Sequence, residues 1–136
     1  MITTRILQII SGIAGLAALT LGLLFWFANI DLLSIHMLLG LTVALALLIM
    51  SILAVTTRGM RIWGIVGIIY AIIVPIFGLR QAFLLIGNLH WLIQVAHMLV
   101  GIGAMVLTGY MGTRYLALKR ANPRPVAESQ TAVHVK

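Results

Sequence analysis

Two short stretches of this chain carry the same chemistry in the same frame: His36-Met37-Leu38-Leu39-Gly40 and His97-Met98-Leu99-Val100-Gly101. In either stretch, imidazole is the side chain that can ligate a metal or move a proton near neutral pH. The glycine follows four residues after each histidine. On a helix that is one turn away on the same face, so the ring stands beside a bare strip of backbone. A ligand with clearance next to it suits a flat metal cofactor. The chemistry expected is axial ligation of one haem b iron by His36 and His97, with Gly40 and Gly101 leaving room for the ring.

Other residues near these stretches extend or complicate that expectation. His90 precedes His97 by seven residues and falls on nearly the same helical face, so it is an alternative partner for His36, or else a neighbour of the haem propionates. Gln94, one turn before His97, could hydrogen-bond a propionate, a quinone oxygen or another helix. Arg80 has two readings: a charge snorkelling at the end of an apolar segment, or a clamp whose planar guanidinium matches a propionate carboxylate. Gly22 and Gly78 are expected where a porphyrin edge needs backbone clearance. Met37 and Met98 point elsewhere on their helices and are read as packing residues.

These residues must be positioned by apolar helices. The 136 residues are 62% hydrophobic and 8% charged, with a mean hydropathy of +1.18, too apolar for a water-soluble domain. The absence of cysteine excludes disulfides, iron-sulfur clusters and thioether-linked haem. A net charge of +7 would suggest nucleic acid in a soluble protein, but here the nine Lys and Arg residues fall mostly at the ends of apolar segments and set topology instead. No nucleic-acid partner is expected. The first segment runs from Arg5 to Ala28, longer than a signal-peptide core, ends in the aromatic belt Phe25-Trp26-Phe27 and is read as a retained helix. Asp31 is placed to cap a second segment, Leu32 to Thr56. A third, Ile62 to Ile86, contains Pro75 as a kink, and Gly87-Asn88 separates it from a fourth, Leu89 to Leu118. The expected fold is all-α, an integral membrane four-helix up-and-down bundle over residues 1–120 with a flexible cytoplasmic tail over 121–136. Arg5, Arg58, Arg61, Arg114, Lys119 and Arg120 gather on one side of such a bundle, which puts both termini in the cytoplasm and the histidines in the outer half of a bacterial or archaeal plasma membrane.

The chain also reads as two duplicated helical hairpins. A shift of 56 lays Arg5-Ile6 on Arg61-Ile62 and Gly22-Leu23 on Gly78-Leu79, and a shift of 61 lays His36-Met37-Leu38 on His97-Met98-Leu99. Apolar matches are cheap, whereas the histidine match is hard to obtain by chance. With a helix rise of about 1.5 Å per residue, Gly22, Gly78, His36 and His97 fall about 7–14 Å below the outer ends, with the two histidines about one turn out of register. Gln8, Gly15 and Gly22, with their counterparts Gly64, Ala71 and Gly78, recur every seven residues, as close helix packing requires.

A four-helix bundle with one histidine on the second helix and one on the fourth resembles one half of the haem A synthases, over about residues 5–118. That resemblance implies a haem held between His36 and His97. The family's catalytic half carries a glutamate near its histidines; this chain has no membrane glutamate, so the likeness is to the half that holds haem as a cofactor. The chain is similar also to small four-helix b-type cytochromes that exchange electrons with quinone, although those usually carry more histidines. The function expected is a membrane b-type cytochrome transferring electrons, with quinone or a redox protein as partner and a homodimer or larger complex as its setting. The alternatives are an accessory subunit of a respiratory or photosynthetic complex, and haem A synthase-like modification or handling of haem.

Overall fold

A computed structural model describes residues 2–121. They form α1 (Ile2–Ala28), α2 (Leu33–Val55), α3 (Arg61–Arg80) and α4 (His90–Ala121), with one 3-10 turn, Gln81–Phe83, following α3. Each of the four helices is long and apolar enough to cross a membrane, and no strand occurs among the described residues. The tail expected to be flexible lies, beyond Ala121, outside them.

The helices stop where the sequence supplies left-handed or capping residues. Asn29 ends α1 at φ 52°, a conformation that asparagine tolerates better than most residues. Two residues later the Asp31 carboxylate accepts the Leu33 N–H at 3.2 Å in a local turn just ahead of α2, whose N-cap position falls on Leu32 and not on Asp31. Gly59, at φ 86°, turns the chain from α2 into α3. The third segment is shorter than its apolarity predicts. It leaves the α-helix at Arg80 instead of continuing to Ile86, because Leu84 is extended and Leu85 and Gly87 adopt φ 48° and 107°. Its last apolar residues form an exposed connection that returns to α4. Pro75 does not end α3, which continues through it to Arg80.

Contacts between neighbouring helices run in opposite senses, which fixes the up-and-down order. Gln8 of α1 donates to the Gly109 carbonyl of α4 at 2.9 Å, while Gly15, further along α1, meets Met105, earlier in α4. Gly64 and Gly67 of α3 lie against Val55 and Ser51 of α2 in the same reversed order. Tyr70 of α3 donates to the Val100 carbonyl of α4 at 3.0 Å. α2 and α4 touch each other and both remaining helices, whereas α1 and α3 do not meet. The two histidine-bearing helices are therefore the central pair.

The solid core occupies one half of the bundle. Leu47, Met50, Met60, Ala104 and Met111 are almost wholly buried there, with Thr4, Ser11, Ser51 and Thr108 among them. Ser51 and Thr108 satisfy their hydroxyls on the Leu47 and Ala104 carbonyls one turn back, at 2.6 and 2.8 Å. Small residues let the helices approach closely, and large Ile, Leu and Phe side chains face outward. Gly64 is the tightest point against backbone: a Cβ there would sit 2.5 Å from the Val55 nitrogen and 2.7 Å from the Ser51 carbonyl oxygen. Gly64→Ala is expected to destabilise the bundle by about 1–3 kcal/mol, read as a lowered unfolding temperature in detergent, because backbone atoms cannot step aside as a side chain can.

No residue of α1 after Ala18, of α2 before Val43, of α3 after Val74 or of α4 before Ala104 is buried. The packed core thus ends at one level across all four helices, and the other half of the bundle is open.

Candidate functional site

Ala18, Val43 and Val74 form the floor of a cavity of about 270 Å³ in that open half. His36, His97, Gly22, Gly40 and Gly101 line it. Its walls are mainly apolar, with polar residues confined to a few positions.

His36 is the fourth residue of α2 and His97 the eighth of α4, yet their ring centroids stand 6.0 Å apart, tilted by 56°. The one-turn difference in depth expected between them is taken up by the packing of the central pair. The two glycines of α1 and α3 back them in parallel fashion. Cε1 of His36 lies 3.2 Å from where a Cβ on Gly22 would be, and Cε1 of His97 lies 3.1 Å from the corresponding point on Gly78. Either ring would have to move if its glycine gained a side chain. Gly40 and Gly101 behave differently: a Cβ on either meets nothing within 4 Å, and both face the cavity. The four glycines therefore have two purposes. Gly22 and Gly78 seat the imidazoles, and Gly40 and Gly101 leave space beside them.

Nδ1 of His36 is 2.8 Å from the Ala18 carbonyl oxygen. A carbonyl only accepts, so Nδ1 carries the proton and donates, leaving the lone pair on Nε2. That arrangement fixes the tautomer and orientation that a metal-ligating imidazole needs. His97 has no such support. Its Nδ1 is buried without a hydrogen-bond partner among the described residues, and the Phe77 ring lies 6.0 Å away at 43°.

The separation of the two ring centres is comparable with that of two imidazoles sharing one metal atom. A metal-nitrogen bond of about 2.0–2.1 Å plus about 1.1 Å from nitrogen to ring centre, counted twice, separates trans imidazole centroids by about 6.3 Å. The observed 6.0 Å is close to that value. No group of three or more His, Cys, Asp or Glu side chains converges among the described residues, so a closed protein-only metal cage is not assembled. Two imidazoles suit a metal that brings its remaining ligands with it, as haem iron does.

The polar residues gather towards the mouth. His90, the first residue of α4, lines the cavity but ties its Nδ1–H to the Leu84 carbonyl at 3.1 Å, while the ring that faces His36 is His97. His90 therefore stands at the start of α4, on the cavity wall and apart from the facing pair. Gln94 lines the wall. Arg80 does not: it is exposed at the end of α3 and outside the wall, because the helix terminates there and the next residue, Gln81, turns inward. Gln81 lines the cavity, and its Oε1 is buried with no partner among the described residues. Sequence reading missed Gln81, whose only signal is a lone amide next to a charge at the end of an apolar run. The packing expectation for the methionines also needs correction. Met37 is 47% exposed on the outer surface, and Met98 lines the cavity beside His97.

The chain matches no protein-family model, no curated protein and no solved structure, so the site has to be read from its own geometry.

Proposed function

We propose that this protein is an integral membrane b-type cytochrome that holds one haem between α2 and α4 and passes single electrons. The observation that carries this reading is the His36–His97 pair, 6.0 Å between ring centres and facing a cavity that Gly40 and Gly101 leave clear. Insertion in a membrane is supported by four helices of sufficient length and apolarity and by the Ile, Leu and Phe side chains on their outer faces. The basic residues at the start of α1, between α2 and α3 and at the end of α4 orient that packed end to the cytoplasm and the cavity to the outer side.

His36 and His97 would hold the iron. Bound there, a haem would supply one-electron transfer. The chain's own residues provide the rest. The Ala18 carbonyl orients His36, Gly22 and Gly78 seat the two rings, and the apolar floor excludes water from below. The amides of Gln81 and Gln94 and the His90 ring offer hydrogen bonds at the polar edge, where propionates or a quinone oxygen would be met. Among the described residues the wall carries no carboxylate of the kind that modification of the haem would call for. The parallel placement of His36 on Gly22 and His97 on Gly78 supports descent from two duplicated hairpins.

Since Arg80 lies outside the wall, Arg80→Ala is expected to change haem affinity by no more than about 0.5 kcal/mol, as for an ordinary surface substitution, measured by haem titration of the purified protein. Potentiometric titration of the purified protein, followed by absorbance, tests the proposed activity. One wave with the slope of a single-electron couple is expected; a haem-containing protein that cannot be cycled between oxidation states contradicts it.

A further inference from the structure

We propose that the two histidines are unequal ligands, His36 a fixed anchor and His97 an exchangeable one, so that the site also binds a small uncharged diatomic molecule in the place of His97. This rests on the haem reading above and deepens it.

The observation is a difference between two rings that are otherwise treated alike. Both are backed by a glycine at nearly the same distance, 3.2 and 3.1 Å. Yet the Nδ1–H of His36 is held by the Ala18 carbonyl at 2.8 Å, while Nδ1 of His97 is buried and has no partner among the described residues. The shift of 56 that places Gly22 on Gly78 places Ala18 on Val74, whose carbonyl is the counterpart acceptor. His97 does not use it.

A hydrogen bond at the far nitrogen raises an imidazole's basicity and fixes its orientation, and loss of such a partner typically weakens metal binding about 10–100-fold. His97 is therefore the weaker ligand of the pair. Exchange gives up one iron-nitrogen bond and forms one iron-carbon or iron-nitrogen bond to the incoming molecule, with no electron or proton transferred. The surroundings of His97 select the ligand class. Phe77, Gly78, Gly101 and Met98 carry no charge, so they favour a neutral diatomic such as carbon monoxide or nitric oxide over an anion.

Carbon monoxide is the direct probe, added to the dithionite-reduced, purified full chain while the absorption spectrum is recorded. The wild type is expected to show a shifted Soret band at saturating gas. His97→Gly is expected to keep its haem in a high-spin form, to bind carbon monoxide faster than the wild type, and to regain the low-spin spectrum on addition of free imidazole. His36→Gly is expected to lose its haem. A reduced wild type that stays low-spin and unchanged under carbon monoxide overturns the inference while leaving the cytochrome reading intact. So does a His36→Gly variant that retains haem as well as His97→Gly. Absence of haem from the wild type itself removes both the inference and the reading beneath it.

Discussion

His36→Ala is expected to leave the purified protein with about a tenth or less of the wild-type haem, since loss of a ligand's supporting partner alone typically weakens metal binding about 10–100-fold and loss of the ligand itself should cost at least as much. Of the two facing imidazoles, the substitution takes away the one whose tautomer and direction are fixed by backbone, through Nδ1 and the Ala18 carbonyl. It costs the fold little by comparison, about 0.5–1.5 kcal/mol for one hydrogen bond. The bundle is held by the other half of the molecule, where Leu47, Met50, Ala104 and Met111 make up the core. The measurement is pyridine haemochrome per mole of protein, alongside circular dichroism and gel filtration in detergent. Helical, monodisperse protein without haem is the expected result; full haem content in this variant contradicts the assignment of His36.

The second large effect separates stability from cofactor retention. Gly40→Leu and Gly101→Leu are each expected to bring haem content to about a tenth of wild type or below, while the apoprotein becomes as stable as before or more so. Either glycine has open space where a Cβ would go and faces the cavity, so the new side chain starts without a clash and extends into it. Replacing glycine inside a helix stabilises by up to about 1 kcal/mol. The same side chain occupies the volume beside the histidine that a ring would need. Thermal unfolding of the apoprotein and haem titration should therefore move in opposite directions. Parallel loss of both, or retention of haem with a leucine at either position, shows that this cavity is not where the cofactor lies.

Much of the site was legible because it rests on local repetition. The frame His-x-x-x-Gly fixes which backbone strip accompanies the ring, and that relation survives any error in helix ends or tilt. The same holds for the seven-residue stripe, which appears as Gln8 against Gly112 and Gly15 against Met105. The distinction between seating glycines and clearing glycines was not legible, because Gly22 and Gly40 look alike until the helix opposite each is known. The end of α3 was misread for a related reason. Phe83-Leu84-Leu85-Ile86 has the apolarity of a helix but lies in a connection whose course depends on the His90–Leu84 contact six residues apart in sequence. With that turn in place Arg80 faces outward and Gln81 inward, an exchange that apolar periodicity over a short run cannot anticipate. The partner of His36 was ambiguous between His90 and His97 because both share one face of α4, and only the register between α2 and α4 favours His97.

The most direct measurement is the absorption spectrum of the full chain purified in mild detergent from cells supplied with ample haem, recorded oxidised and then reduced with dithionite. A sharp reduced α band, with one haem b per chain by pyridine haemochrome, is the result this account predicts. Colourless, correctly folded protein that takes up no added haem contradicts it, and would leave the His36–His97 pair as a packing feature of a helical membrane subunit.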